Sequence, residues 1–163
     1  MARADRGLPA TLAGALAVGA TYFFFLIYAQ FGFLHLLGER LGEGGSTRLA
    51  MLVMGSAGLL FSFATAAALR RVPSNLALVG GLFLCAGSGL LSIIAESPIA
   101  LTGCAALIGA ATAILTVSLA ASLRDFVPAR RIGLVAGVAT GAAYLACNVP
   151  AIFEGSASDQ ACL

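Results

Sequence analysis

Charged side chains are scarce in this chain. Only 10% of its 163 residues are charged, and no lysine occurs among them, so all nine basic residues are arginines. Soluble globular domains carry about 25% charged residues, because their surfaces face water. So little charge excludes an ordinary water-soluble domain. The net charge of +2 is also too small, and the arginines are too scattered, for a nucleic-acid-binding surface.

The sequence also lacks the residue groups that carry catalysis or bind metals. It has one histidine and four cysteines, with no C-x-x-C pair and no His/Cys group at metal-site spacing. No nucleophile, base and orienting group occur together, and no phosphate-binding loop is present. We therefore expect no enzymatic activity, no cofactor and no metal site. The cysteines are interpreted as small packing residues.

Apolar sequence is abundant instead: 60% of the residues are hydrophobic, and the mean hydropathy is +1.01. Five apolar runs are each long enough to cross the roughly 30 Å hydrocarbon core of a bilayer as a helix. They are Thr11–Leu37, Leu49–Leu69, Leu76–Ala95, Ile99–Leu123 and Ile132–Phe153. Lipid offers the backbone no hydrogen-bond partners, and the runs lack the alternation of barrel strands. The sequence thus predicts an all-α polytopic membrane protein with five transmembrane helices.

The runs divide the chain into three segments. Residues 1–10 form a cytoplasmic N-terminal segment, 11–153 the five-helix transmembrane domain, and 154–163 a short polar C-terminal tail. Arg3 and Arg6 resemble the positive start of a signal peptide. The apolar run that follows is much longer than the 7–15 residues of a signal-peptide core, so we expect a retained helix.

The arginines predict the orientation of these helices. One side of the predicted membrane protein receives seven of the nine: Arg3, Arg6, Arg70, Arg71, Arg124, Arg130 and Arg131. The other side receives Arg40 and Arg48. Because positively charged loops stay in the cytoplasm, the N-terminus and the loops Arg70–Asn75 and Arg124–Ile132 are expected there. The C-terminus is expected outside, and a bacterial inner (plasma) membrane is the expected location.

Each run also has one face of small or weakly polar residues, where helices in lipid approach one another. On the first run this face holds Gly14, Thr21, Tyr28 and His35, and on the third it holds Gly81, Cys85, Ser88 and Ser92. The glycines expected at helix contacts are Gly55, Gly58, Gly109, Gly133, Gly137 and Gly141. The residues expected to line a substrate path are Tyr22, Tyr28, Gln30, Tyr144 and Asn148. For each of these residues, the alternative interpretation is that it only packs one helix against another.

Three passages resemble the N-terminal half of a major facilitator superfamily transporter. The aromatic stretch Tyr22–Leu34 looks like the opening helix of that family. Arg70 and Arg71 stand where the family has a short basic loop between its second and third helices. The segment Arg124–Gly133 is similar to the loop between the fourth and fifth helices, which reads Pro-x-x-Arg-x-Gly and leads into a glycine-rich fifth helix.

This resemblance implies transport of a small, neutral or amphipathic organic solute by helix bundles that rock about a site at the membrane midplane. Family members have two six-helix halves, whereas this chain has five runs. The chain also lacks an arginine within its fourth run and keeps only the arginines of the loop signature at Ala66–Asn75. The expected partners are the lipid bilayer, the solute, and copies of itself or another chain that supplies missing helices to a truncated or split transporter. The alternative is a non-transporting assembly or scaffold subunit that docks partner helices.

Overall fold

A computed structural model describes residues 8–42 and 44–150, and this part of the chain is helical without strands. Its elements are α1 (Leu8–Phe23), a π-helical segment (Phe24–Gly32), α2 (Phe33–Leu41), α3 (Gly45–Ala68), α4 (Ser74–Ile94), α5 (Pro98–Phe126), a 3-10 turn (Ala129–Arg131) and α6 (Ile132–Cys147). The first three elements follow one another without a break and form the long first helix. The predicted C-terminal tail and most of the predicted N-terminal segment lie outside the described residues.

Four of these helices are long and apolar enough to cross a membrane. They are Pro9–Leu41, Ser46–Ala68, Ser74–Ile94 and Pro98–Phe126. The fifth expected span, Ile132–Phe153, is helical over the 16 residues of α6, and its last residues lie outside the described part. The all-α architecture with four helices suited to a bilayer is therefore present, and the fifth crossing stays a prediction.

Helix α5 is the centre of the bundle. Helices α3 and α4 both pack along it, and α1 contacts its C-terminal part. Its start follows the sequence signal, because Pro98 occupies the first turn and the Ser97 side chain accepts a hydrogen bond from the Ala100 amide at 3.2 Å. Much of its buried surface consists of small side chains, namely Ala105, Gly109, Ala110, Ala111 and Ala113. Small residues let neighbouring backbones come close.

Two of the expected contact glycines lie where α3 crosses α5. A Cβ atom on Gly109 would collide with the carbonyl group of Met54 and would lie 3.2 Å from the Gly58 nitrogen. A Cβ atom on Gly58 would lie 3.5 Å from the Gly109 carbonyl oxygen. Gly55, one turn away, has no described atom within 4 Å of such a position. The crossing therefore depends on Gly109, whereas a Cβ atom at Gly58 would make an ordinary van der Waals contact and Gly55 lies on the exposed side of α3.

Helix α6 packs mainly on α1. Its buried residues are Val135, Ala139, Ala143 and Cys147, which recur every fourth position and so form one face. A Cβ atom on Gly19 of α1 would lie 3.7 Å from the Ala139 carbonyl oxygen. The remaining surface of α6 is largely exposed.

The long first helix, α3, α4, α5 and α6 run in alternating directions. Every second connection between them therefore lies at the same end of the bundle. The start of α1 meets the end of α5, where a Cβ atom on Gly14 would lie 3.1 Å from the Phe126 Cβ. Five exposed arginines belong to this end: Arg70, Arg71, Arg124, Arg130 and Arg131. Arg40 and Arg48 belong to the other end. The described arginines are thus grouped as expected, Arg3 and Arg6 lie outside the described residues, and the assignment of one end to the cytoplasm stays a prediction.

Candidate functional site

Tyr28 joins the long first helix to α4 through buried hydrogen bonds. Its side chain is 1% exposed, and its hydroxyl group donates to the Gly89 carbonyl oxygen at 3.0 Å. The Ser92 hydroxyl lies beside both the Tyr28 hydroxyl and the Gly89 carbonyl oxygen, 2.7 Å from the carbonyl oxygen, and its single proton bonds to one of these two oxygens. Gly89 allows this approach, because a Cβ atom there would already lie 3.4 Å from the tyrosine ring.

Tyr28 lies in the middle of the π-helical segment. The Phe33 amide donates to the Tyr28 carbonyl oxygen, five residues back, as in a π-helix. This wider winding directs four consecutive side chains, Leu26, Ile27, Tyr28 and Ala29, into buried positions. Such segments occur frequently at functional sites, because they place side chains where a regular α-helix would not.

A cavity of about 220 Å³ lies beside this segment, between the long first helix, α4 and α5. We call it the Tyr28 cavity. Its buried floor consists of Ile27, Tyr28, Cys85, Gly89 and Leu115, its walls of the half-buried Phe23 and Phe24, and its mouth of the exposed Ala20, Leu82 and Ala86. All of these residues are uncharged. The cavity is therefore an apolar and aromatic space that opens on the surface of the bundle.

Arg40 makes a second connection between the long first helix and α4. Its guanidinium group donates to the carbonyl oxygen of Ala95, to that of Ile93 at 2.8 Å and to that of Ser92 at 3.5 Å. The last carbonyl groups of a helix have no partner within the helix and carry partial negative charge, so an arginine there stabilises the helix end. Arg40 and Tyr28 together fix the second half of the long first helix against α4.

The structure separates the five predicted path residues. Tyr28 lines the cavity, whereas the other four are exposed on the outer surface of the bundle: Tyr22, Gln30, Tyr144 and Asn148. Tyr22 is 40% exposed and Tyr144 is 51% exposed. No single interior site within residues 8–42 and 44–150 therefore brings the five together.

Two of these residues belong to a face of α6 that points away from the bundle. At 100° per residue, Gly133, Gly137, Gly141, Tyr144 and Asn148 lie opposite the face that packs on α1. We call this surface the α6 outer face. No described atom lies within 4 Å of a Cβ position on any of its three glycines. The Asn148 amide donates to the Tyr144 carbonyl oxygen at 2.8 Å. The close contacts expected at these glycines are thus absent within the described chain, because the helix turns this face outwards.

Potential ligands for a metal are dispersed. No group of three His, Cys, Asp or Glu residues comes together in the described ranges. His35 lies on the exposed side of α2, with its Nε2 atom 3.3 Å from the Glu39 carboxylate one turn later. Cys85, Cys104 and Cys147 are buried free thiols on three different helices.

Sequence reasoning missed Arg40 and the π-helical segment. The sequence indicates only on which side of the membrane Arg40 lies, and its partners lie more than 50 positions further along the chain, so no local pattern indicates them. Ser92 could have been found, because it shares a predicted face with Gly81, Cys85 and Ser88, and all four are buried.

Comparisons of the chain with protein-family models, with curated proteins and with solved structures gave no match. The features of this chain that bear on its function are the described helices, the Tyr28 cavity and the α6 outer face.

Proposed function

We propose that this chain spans a membrane and supplies helices to a transporter of a small, neutral or amphipathic organic solute, similar to the N-terminal half of a major facilitator. Four helices of suitable length and apolarity support insertion in a bilayer. The five arginines at one end of the bundle support the proposed orientation, in which that end and the N-terminus are cytoplasmic and the C-terminus is outside. A bacterial inner membrane fits this arrangement.

The observation that carries the proposal is the α6 outer face. It combines three uncovered glycines with the side chains of Tyr144 and Asn148, and no part of the described chain packs on it. Amide and hydroxyl groups that face hydrocarbon cost free energy unless another helix bonds them. Helices from a second copy or from a different chain would cover this face and satisfy its polar groups.

The transport path would then lie between this chain and its partner. Gln30 and Tyr22 on the long first helix and Tyr144 and Asn148 on α6 would present polar groups to the solute at this boundary. Rocking of the two bundles about the boundary would expose the solute alternately to each side, as in transporters built from repeated bundles.

A second candidate function is an assembly or scaffold subunit that does not transport. The same α6 outer face favours it, because glycine-rich faces at four-residue spacing are typical of close helix association in membranes. The two candidates differ in whether a solute crosses the membrane through the complete complex.

The test begins with the protein purified from native membranes in a mild detergent with any partner still bound. The mass of the complex is measured, and the complex is placed in vesicles to follow the uptake of a panel of radiolabelled neutral solutes. We expect a mass larger than that of one chain, and uptake that exceeds that of empty vesicles. The variants Tyr22→Phe and Gln30→Leu, on the long first helix and outside the α6 outer face, should reduce uptake without changing the mass.

Each alternative outcome has a definite meaning. A larger complex that moves no solute supports the assembly subunit instead of the transporter. A single chain that moves solute by itself contradicts the proposed shared path. A single chain that moves nothing contradicts both candidates.

A further inference from the structure

We infer that the Tyr28 cavity is a binding site for a small, uncharged aromatic molecule that enters sideways from the lipid. This inference deepens the proposed function by naming the class of solute, and it rests on that function for its biological meaning. Binding itself is a property of this chain and is measurable without transport.

The size of the cavity suits a small ligand. An engineered apolar cavity of about 150 Å³ stays dry and binds benzene, whereas sites for drug-sized ligands occupy roughly 300–1,000 Å³. The Tyr28 cavity, at about 220 Å³, lies between these values. One aromatic ring with a short substituent fits this space.

The lining selects an uncharged ring. The Phe24 and Tyr28 rings have centroids 5.7 Å apart with planes inclined by 35°, and they offer aromatic faces and edges to a ring beside them. The hydroxyl protons of Tyr28 and Ser92 are already used within the group formed by these two side chains and the Gly89 carbonyl oxygen. A charged ligand would therefore lose its hydration without gaining a partner of opposite charge. The free energy of this desolvation is much larger than the free energy gained from apolar contacts.

The opening of the cavity indicates the direction of entry. Ala20, Leu82 and Ala86 are exposed, and they lie well inside the apolar segments of α1 and α4. Two of these three residues are alanines, which leave a gap between the helices. In a bilayer this gap faces the acyl chains, where an uncharged aromatic molecule dissolves and a polar solute does not.

The experiment uses the protein purified with any bound partner and placed in phosphatidylcholine vesicles. The probe is 3-trifluoromethyl-3-phenyldiazirine, an uncharged single-ring molecule that labels its surroundings on illumination. Labelled residues are then identified by mass spectrometry. We expect labelling at the Tyr28 cavity, read at Tyr28 and Cys85, to saturate with probe concentration and to fall at least fivefold with excess toluene. Labelling at the lipid-facing Leu59 and Leu60 of α3 should rise in proportion to the probe concentration and should not change when toluene is added.

Variants at the mouth provide the second arm. Ala20→Phe and Ala86→Phe place a ring in the opening from opposite sides, and each should abolish most of the saturable labelling. Ala13→Phe is the matched control, because Ala13 is exposed on nearly the same face of α1 two turns earlier and should leave the labelling unchanged. Circular dichroism and the α3 labelling show which variants keep the fold.

The inference is overturned by labelling of the cavity that rises linearly with probe, as at a lipid-filled groove. It is equally overturned if folded Ala20→Phe and Ala86→Phe proteins both keep the full saturable labelling. Saturable labelling in a complex that moves no solute keeps the binding site and contradicts the transport proposal alone. Transport without saturable labelling contradicts the binding site alone.

Discussion

The backbone of α5 at Gly109 lies directly against the carbonyl group of Met54 in α3, with no room for a side chain between them. The Met54 oxygen belongs to a regular helix and cannot move without displacing its neighbours. Gly109→Ala should therefore lower the free energy of unfolding by about 2 kcal/mol, the usual scale of overpacking. Thermal unfolding in detergent measures the effect.

Gly103→Ala is the matched control for this variant. Gly103 lies on the same helix with no described atom within 4 Å of a Cβ position. An alanine there should be neutral or slightly stabilising, since alanine is the better helix former. Equal unfolding temperatures for both variants would contradict the close crossing of α3 and α5.

Ser118 of α5 is fully buried, and its hydroxyl oxygen has no hydrogen-bond partner among the described residues. A buried polar group without a partner costs about 1–3 kcal/mol. Ser118→Ala should therefore raise the free energy of unfolding by roughly 1 kcal/mol. Ser88→Ala is the comparison, because the Ser88 hydroxyl donates to the Cys85 carbonyl oxygen at 3.0 Å and its loss should be neutral or destabilising. A Ser118→Ala protein less stable than Ser88→Ala would reveal a bond to the Ser118 hydroxyl.

Arg40 stabilises the last turn of α4 through three carbonyl groups. Arg40→Met should cost about 2 kcal/mol, in the range measured for hydrogen bonds to charged groups. Hydrogen–deuterium exchange should accelerate in the last turn of α4 before the rest of the bundle. Arg40→Lys should restore only part of the loss, because an ammonium group lacks the planar fork that reaches several oxygens. Arg48→Met, an exposed change at the same end, should leave α4 unaffected.

The arginine distribution predicts which end of the bundle is cytoplasmic. A reporter enzyme that is active only outside the cytoplasm should be silent when fused after Asn75 and active when fused after Glu96. Asn75 lies in the first turn of α4 and Glu96 just beyond its last turn, so the two fusions differ by the passage of this one helix. Activity after Asn75 would reverse the proposed orientation.

The α6 outer face should matter for association and not for the fold of one chain. Gly137→Leu adds a bulky side chain where no described atom lies within 4 Å, so the unfolding temperature of the isolated chain should not change. The same variant should reduce the mass of the complex isolated from membranes. Leu134→Ala, at a side chain that is 68% exposed, should change neither quantity. A complex of unchanged mass with Gly137→Leu would exclude this face as a contact.

Helix positions were predictable because length and hydropathy determine them. The run Leu76–Ala95 became α4 at Ser74–Ile94, and the run Ile99–Leu123 became part of α5 at Pro98–Phe126. The buried faces were predictable in part. Gly81, Cys85, Ser88 and Ser92 are all buried, as a regular seven-residue pattern requires.

The first helix shows where such patterns fail. Gly14, Thr21 and Tyr28 are buried, but His35 is exposed although it continues the same line. The π-helical segment includes Tyr28 and continues to Gly32, and its wider turns rotate each residue through a smaller angle. Seven residues then no longer return to the same face. The exposure of the α6 glycines was unpredictable for a different reason. A face of small residues indicates close helix packing, but it does not indicate which helix packs there.

The helices differ in length, and in a bilayer this difference has consequences at Arg40. The segment Pro9–Leu41 has 33 residues, of which nine are π-helical, and the other 24 are alone about 36 Å long at 1.5 Å per residue, whereas α4 has 21 residues and is about 32 Å long. A hydrocarbon core of roughly 30 Å matches α4 upright, so the longer helix must tilt or protrude. The contact of Arg40 with the end of α4 then falls near the headgroup layer, where water and lipid phosphates compete for the guanidinium group. In a thicker membrane the same contact lies deeper and drier, so the strength with which the two helices are held together depends on the lipids around them.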